Sequence, residues 1–128
     1  MSLSDELRKD LNHLIATTKG LQAIMITDRD GIPIIKASIE KPPELSTKPN
    51  FPAIAGVACE QASKLSLGRC KSITCIYDGF QIIHFNKHPI MITLIATDKA
   101  NTGLLLALES QFDPILGPLK KVVHIKST

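Results

Sequence analysis

Aromatic side chains are scarce in this chain of 128 residues: four phenylalanines, one tyrosine and no tryptophan. A protein that stacks nucleic-acid bases needs several aromatics on one face, whereas Phe51, Tyr77, Phe80, Phe85 and Phe112 are spread along the sequence. Charge argues the same way. The net +3 is small, and apart from Lys120, Lys121 and Lys126 the basic residues are scattered, so nucleic acid is not an expected partner. Cysteine is sparse too. Cys59, Cys70 and Cys75 are odd in number and form no Cys-x-x-Cys, which points away from a disulfide framework or zinc knuckle and toward a reducing compartment.

Long apolar runs are missing as well. Met1 to Lys9 is polar and charged where a secretory signal would be apolar, and no window reaches the roughly 18 apolar residues of a membrane span. Ser2 stands where myristoylation requires glycine, and no prenylation box closes the sequence. Any membrane address is therefore expected to come from a partner. Neither a Gly-x-Gly-x-x-Gly nor a P-loop occurs, so no nucleotide or other cofactor is expected.

What is present is a hydrophobic period that changes in an informative order. With 44% hydrophobic residues the chain has the length and apolar content for a single domain over 1–128, burying roughly two-thirds of its unfolded surface. Ser4 suits an N-cap, Asp5 and Glu6 the positive first turn, and Leu7, Leu11, Leu14 and Ile15 recur at helical spacing up to Gly20. Leu21 to Thr27 and Ile32 to Ile39 read as strands around the turn Asp28-Arg29-Asp30-Gly31. Pro33 lacks an amide proton, so that second strand should start there or lie at a sheet edge.

Glu40 to Asn50, with its prolines, reads as a loop; Pro52 and Gly68 then bracket a central helix over Phe51 to Leu67. Lys71 to Tyr77 and Phe80 to Asn86 flank Asp78-Gly79, a strong hairpin signal because glycine tolerates positive φ. After Lys87-His88-Pro89, the run Ile90 to Thr97 is almost continuously apolar, as a strand buried on both faces should be. Asn101 should cap a last helix through Leu104, Leu108, Phe112, Ile115 and Leu119, kinked or divided at Pro114 and Gly117-Pro118. The order is α-β-β-α-β-β-β-α, in the α+β class.

Catalytic constellations are thin. Cys75 and His84 fall on neighbouring expected strands, but a small apolar strand residue beside a solvated histidine explains them better than a nucleophile and base do. His84 and His88 are four apart, a metal-binding spacing on a helix but not across a strand and a proline turn. Asp28 and Asp30 open like a calcium loop, yet the later oxygen ligands and bidentate glutamate are missing. Asn101-Thr102-Gly103 reads as a helix cap rather than a phosphate cradle. No catalytic residue and no metal site are expected.

Surfaces for association are better supported. The strand at Lys71 to Tyr77 carries no proline, bulge signal or inward charge, so at a sheet edge it would invite pairing. Ala53, Ala55, Gly56, Ala58, Cys59, Ala62 and Ser63 make the central helix small-sided, allowing another backbone close approach. The expected dimer surface is Ala55, Cys59, Ala62 and Ser63 with Ile73, Cys75 and Tyr77.

Together these residues resemble the roadblock-domain family, and most closely its MEK-partner scaffold branch, subunits of the late endosomal and lysosomal Ragulator complex. The resemblance runs nearly full length and rests on Asp28-Arg29-Asp30-Gly31-Ile32-Pro33-Ile34-Ile35-Lys36, Ser63-Lys64-Leu65, Lys71-Ser72-Ile73, Phe85-Asn86 and Ala100-Asn101-Thr102-Gly103-Leu104. It departs at Gly117-Pro118, where that family continues a charged helix, and at Lys48 to Pro52. The resemblance implies a five-stranded antiparallel sheet with the central helix on one face and the terminal two on the other. It also implies a non-enzymatic adaptor that heterodimerises with a second roadblock subunit and is held with other Ragulator subunits by a lipidated anchoring subunit. Such a complex recruits MAP-kinase-kinase and MAP kinase, and docks Rag GTPases for amino-acid-dependent TOR activation, on the cytoplasmic face of late endosomes and lysosomes. The alternatives are a dynein-type homodimeric roadblock light chain and a stand-alone regulator of a small GTPase.

Overall fold

Five strands form one antiparallel sheet in the order β2-β1-β5-β4-β3. The computed structural model describes residues 3–28, 30, 32–39, 70–87 and 89–117. β5 (Ile90–Thr97) lies at the centre, bonded to β1 (Leu21–Asp28) on one side and β4 (Phe80–Lys87) on the other. β2 (Pro33–Ser38) and β3 (Ser72–Tyr77) are the two edges. The apolar run expected to be buried on both faces is the central strand, shielded from Ile90 through Ala96. Pro33 both begins β2 and stands at an edge, where its missing N–H costs no interior bond. The expected central helix over 51–67 lies outside the described residues.

The terminal helices share one face. α1 (Leu3–Thr17) carries Asp5 and Glu6 in its first turn and buries Leu7, Leu11 and Leu14, successive positions of one helical stripe. They pack in one cluster with Ile24 and Ile26 of β1, Ile83 and Phe85 of β4, the even-numbered residues of β5, and Leu105, Leu108, Phe112 and Leu116 of the C-terminal helices. The Phe85 and Phe112 rings sit tilted with centroids 6.2 Å apart.

α1 ends at Thr17, and the chain turns into β1 through Gly20 at φ +87°. Only glycine adopts that backbone readily, and space forbids a side chain too, since a Cβ there would come within 2.7 Å of the Ala100 Cβ.

α2 (Thr102–Ala107) is capped as expected: the Asn101 side chain accepts from the Leu104 N–H at 3.1 Å. A second segment, α3, follows over 109–117. The division falls at Leu108 rather than at Pro114. There the ladder tightens to three-residue spacing, with the Leu108 N–H on the Leu105 carbonyl and the Gln111 N–H on the Leu108 carbonyl. Pro114 lies within α3 on its exposed side. Pro118 and Leu119 lie outside the described residues.

Two cross-links hold these helices to β4. Buried Gln81 donates to the Thr97 and Ala100 carbonyls at 3.1 and 2.9 Å and accepts from the Thr102 hydroxyl at 2.6 Å. At the strand's far end Lys87 bridges Glu109 at 3.0 Å and Asp113 at 3.2 Å, one turn apart on α3.

The opposite face of the sheet is buried too, with Ala23, Met25, Ile82, Met91, Thr93 and Ile95 all shielded. His84 belongs to it and is buried, not solvated as its sequence context suggested; its Nδ1 lies 2.9 Å from the Thr93 hydroxyl. Burial away from water disfavours the imidazolium and lowers the pKa from 6.5 to about 4.

Two outcomes follow for stability. Gly20→Ala should cost about 2 kcal/mol or more, from positive φ and the Ala100 clash together, measured by urea denaturation. For His84, the unfolded chain binds a proton below pH 6.5 while the folded chain resists until about 4. Its contribution is therefore complete above pH 6.5 and is lost as the pH falls through that window, by roughly 3 kcal/mol. His84→Gln should flatten the denaturation midpoint between pH 7 and 4.5; an equally steep fall in the variant would place the proton elsewhere.

Candidate functional site

Tyr77 and Phe80 close the β3–β4 hairpin around Asp78 and Gly79, and Gly79 takes φ +86° as the turn requires. That two-residue loop sets the parity of the whole edge strand. β3 runs Ser72 opposite Phe85, Ile73 opposite His84, and so on to Tyr77 opposite Phe80. The Asn86 N–H donates to the Lys71 carbonyl at 2.8 Å, so residues 71, 73, 75 and 77 belong to the pairs that bond to β4. In an antiparallel ladder the alternate residues turn their N–H and C=O groups away. Ser72, Thr74 and Ile76 therefore present theirs along the outer edge. Among the described residues Ser72's carbonyl accepts from the Cys70 thiol alone, at 3.6 Å.

This edge has the features of a pairing surface. It is six residues long, contains no proline, and shows no slip in register. Ser72, Thr74 and Ile76 are exposed, with Ile76 73% accessible on the face that carries the terminal helices. On the other face Ile73 and Cys75 are half-buried, Ile73 packing near Met91, while Tyr77 is 49% exposed and stacks on Phe80 at 5.0 Å between centroids. A row of backbone donors and acceptors that no described residue occupies, flanked by apolar side chains, fits a second strand, which would supply both.

Of the residues expected to form the dimer surface, Ile73, Cys75 and Tyr77 fall together on one side of this strand. Ala55, Cys59, Ala62 and Ser63 lie outside the described residues. The expectation overlooked Ser72, Thr74 and Ile76, whose backbone groups face outward and one of which is the most exposed isoleucine of the described strands. The signal was available in Asp78-Gly79: a two-residue loop makes its flanking residues a bonded pair and so determines which neighbours face out.

Other candidates have structural occupations. Cys75 stands opposite Ile82, and His84 stands opposite Ile73 with its Nδ1 engaged by Thr93 on the strand away from β3. Asp28 Oδ1 accepts from the Asp30 N–H at 2.9 Å and the Ile32 N–H at 3.0 Å, so the carboxylate caps its own turn. His88 lies outside the described residues.

Comparison with known proteins converges on one group. The family described as mitogen-activated protein kinase kinase 1 interacting matches residues 5–123. Ragulator complex protein LAMTOR3 of Danio rerio is 41% identical over 123 residues, covering 96% of this chain and 99% of the relative. The Homo sapiens protein of that name is 37% identical with the same coverage. Among solved structures, gliding protein MglB of Thermus thermophilus superposes with TM-score 0.76 at 12% identity, over 94% of this chain and 93% of that one. A roadblock/LC7 domain from Streptomyces avermitilis gives 0.69 at 11% identity, over 88% and 95%. At those identities the structures speak to the fold, which is that of the roadblock/LC7 domains. The sequence match speaks to kinship, and the chain belongs to the mitogen-activated protein kinase kinase 1 interacting family.

Proposed function

We propose that this chain is a non-enzymatic scaffold subunit of a Ragulator-type complex and works by pairing with a second roadblock subunit. The observation that carries the reading is the open outer edge of β3, with exposed Ser72, Thr74 and Ile76, in a chain whose relatives are Ragulator proteins. A partner strand laid along that edge extends the sheet. Ile73, Cys75 and Tyr77 contribute one side of the contact, and the small residues Ala55, Cys59, Ala62 and Ser63 admit the partner's backbone close by. The whole surface should bury roughly 1,200–2,000 Å² in total.

The pair acts by co-localisation. Holding MAP-kinase-kinase and MAP kinase on one support raises their effective concentration without lowering a chemical barrier, so no side chain here need be catalytic. Rag GTPases dock on the same assembly for TOR activation. The complex sits peripherally on the cytoplasmic face of late endosomes and lysosomes through a lipidated subunit. Among the described residues no helix is long and apolar enough to cross a membrane, which agrees with an anchor supplied by a partner.

The test is light scattering of the chain alone and mixed with a roadblock partner of the Ragulator pair. A one-to-one complex is expected. Thr74→Pro removes an outward N–H while leaving the bonds to β4 intact, and should weaken that complex at least about tenfold. Ala62→Arg should abolish it with the circular dichroism of the monomer unchanged. Undiminished pairing in both variants would refute the proposed surface, and a stable homodimer indifferent to the partner would favour the dynein-type assembly instead.

A further inference from the structure

An open sheet has two edges, and the outer side of β2 presents the same hazard as that of β3. The Ile39 N–H donates to the Gln22 carbonyl at 2.9 Å, so Ile39, Ala37 and Ile35 bond inward to β1 while Lys36 and Ser38 turn their backbone groups outward. The flanks are apolar. Ile32 is 59% exposed, and Ile34 and Ile39 are exposed as well. A bare strand edge with isoleucines along it is an invitation to uncontrolled pairing.

Here the edge is occupied. Arg8, on α1 one residue beyond buried Leu7, reaches across and donates from Nη1 to the Lys36 carbonyl at 3.0 Å. That carbonyl is an acceptor an incoming strand would need, and taking it would require displacing a guanidinium and stripping its water. Pro33 removes a donor at the strand's start, and the register slips between Ile26 and Thr27, twisting the edge there. Among the described residues β3 has none of these devices, and its edge is proline-free and unslipped.

We infer that Arg8 closes the β2 edge against a second copy of this chain, so that each molecule offers one pairing edge and its assemblies stop at two sheets. The closing of β2 stands on its own geometry; the count of two rests on the reading of β3 given above.

The experiment measures mass by light scattering and sedimentation velocity across a hundredfold range of concentration for the full chain. Arg8→Met keeps the aliphatic stem and removes the donors. It should associate beyond the natural chain's largest species, with a threshold at least tenfold lower in concentration. Adding Ser38→Pro, which deletes an outward N–H of β2 without touching its bonds to β1, should return the mass to that of the natural chain. A Thr74→Pro background separates the two edges. There, Arg8→Met should still self-associate, now ending at a dimer, whereas Thr74→Pro alone should not. If Arg8→Met keeps the natural mass in both backgrounds, or if its growth survives Ser38→Pro, the inference is overturned while the reading of β3 is untouched. If Thr74→Pro leaves partner binding unchanged but Ser38→Pro still reverses the growth, the β3 reading fails and the guarding of β2 stands. Loss of the circular dichroism signal in Arg8→Met would also overturn it, since the arginine would then serve the fold and not the edge.

Discussion

A strand closed off from water on both faces must find every hydrogen-bond partner within the molecule, and β5 is under that constraint from Ile90 through Ala96. It is met by β1 on one side and β4 on the other. Those two carry the hairpin partners β2 and β3 outward to the rims. Once the apolar run occupies the middle, each hairpin can attach only by its more buried strand. The terminal helices then cover one face, held over β4 by Gln81 at one end and Lys87 at the other.

The consequence is two sheet edges with opposite treatment. Both strands turn alternate backbone groups outward, and both carry exposed isoleucine. On β2 a proline, a register slip and the Arg8 guanidinium occupy or spoil the row. On β3 no described residue occupies the row over Ser72, Thr74 and Ile76. On the function proposed above, specificity takes the form of allowing one edge to pair while denying the other.

Two of the buried polar groups, Gln81 and His84, are partnered within the fold. Gln81 satisfies both its carbonyl and its amide where the chain passes from β5 to α2. His84 stays neutral beside Thr93 because charging it in that setting is unfavourable. Neither looks like a catalytic group once its partners are seen; a histidine held neutral well below its usual range is part of the packing.

Much was legible before any coordinates. The Asp78-Gly79 hairpin, the Asn101 cap, the continuous apolar strand and the stripe of Leu7, Leu11 and Leu14 follow from backbone preference and hydrophobic period, which act over a few residues. The missing N–H of Pro33 also narrowed its strand to one that starts there or lies at an edge, and both hold. Other features were not readable in this way. His84 lies in a strand of mixed polarity, so its burial depended on what covers it. The helix divides at Leu108 rather than at the visible Pro114, because hydrogen-bond spacing and core packing set that break together. Above all, Arg8 is one charged residue among several on α1, and its bond spans 28 positions to a carbonyl that is outward-facing only after β2 has been placed at the rim. Backbone preference and hydrophobic period set the described elements and their order, since these rest on neighbours along the chain. Which edge is closed depends on the tertiary structure alone, because Arg8 and the Lys36 carbonyl meet only through the assembled sheet.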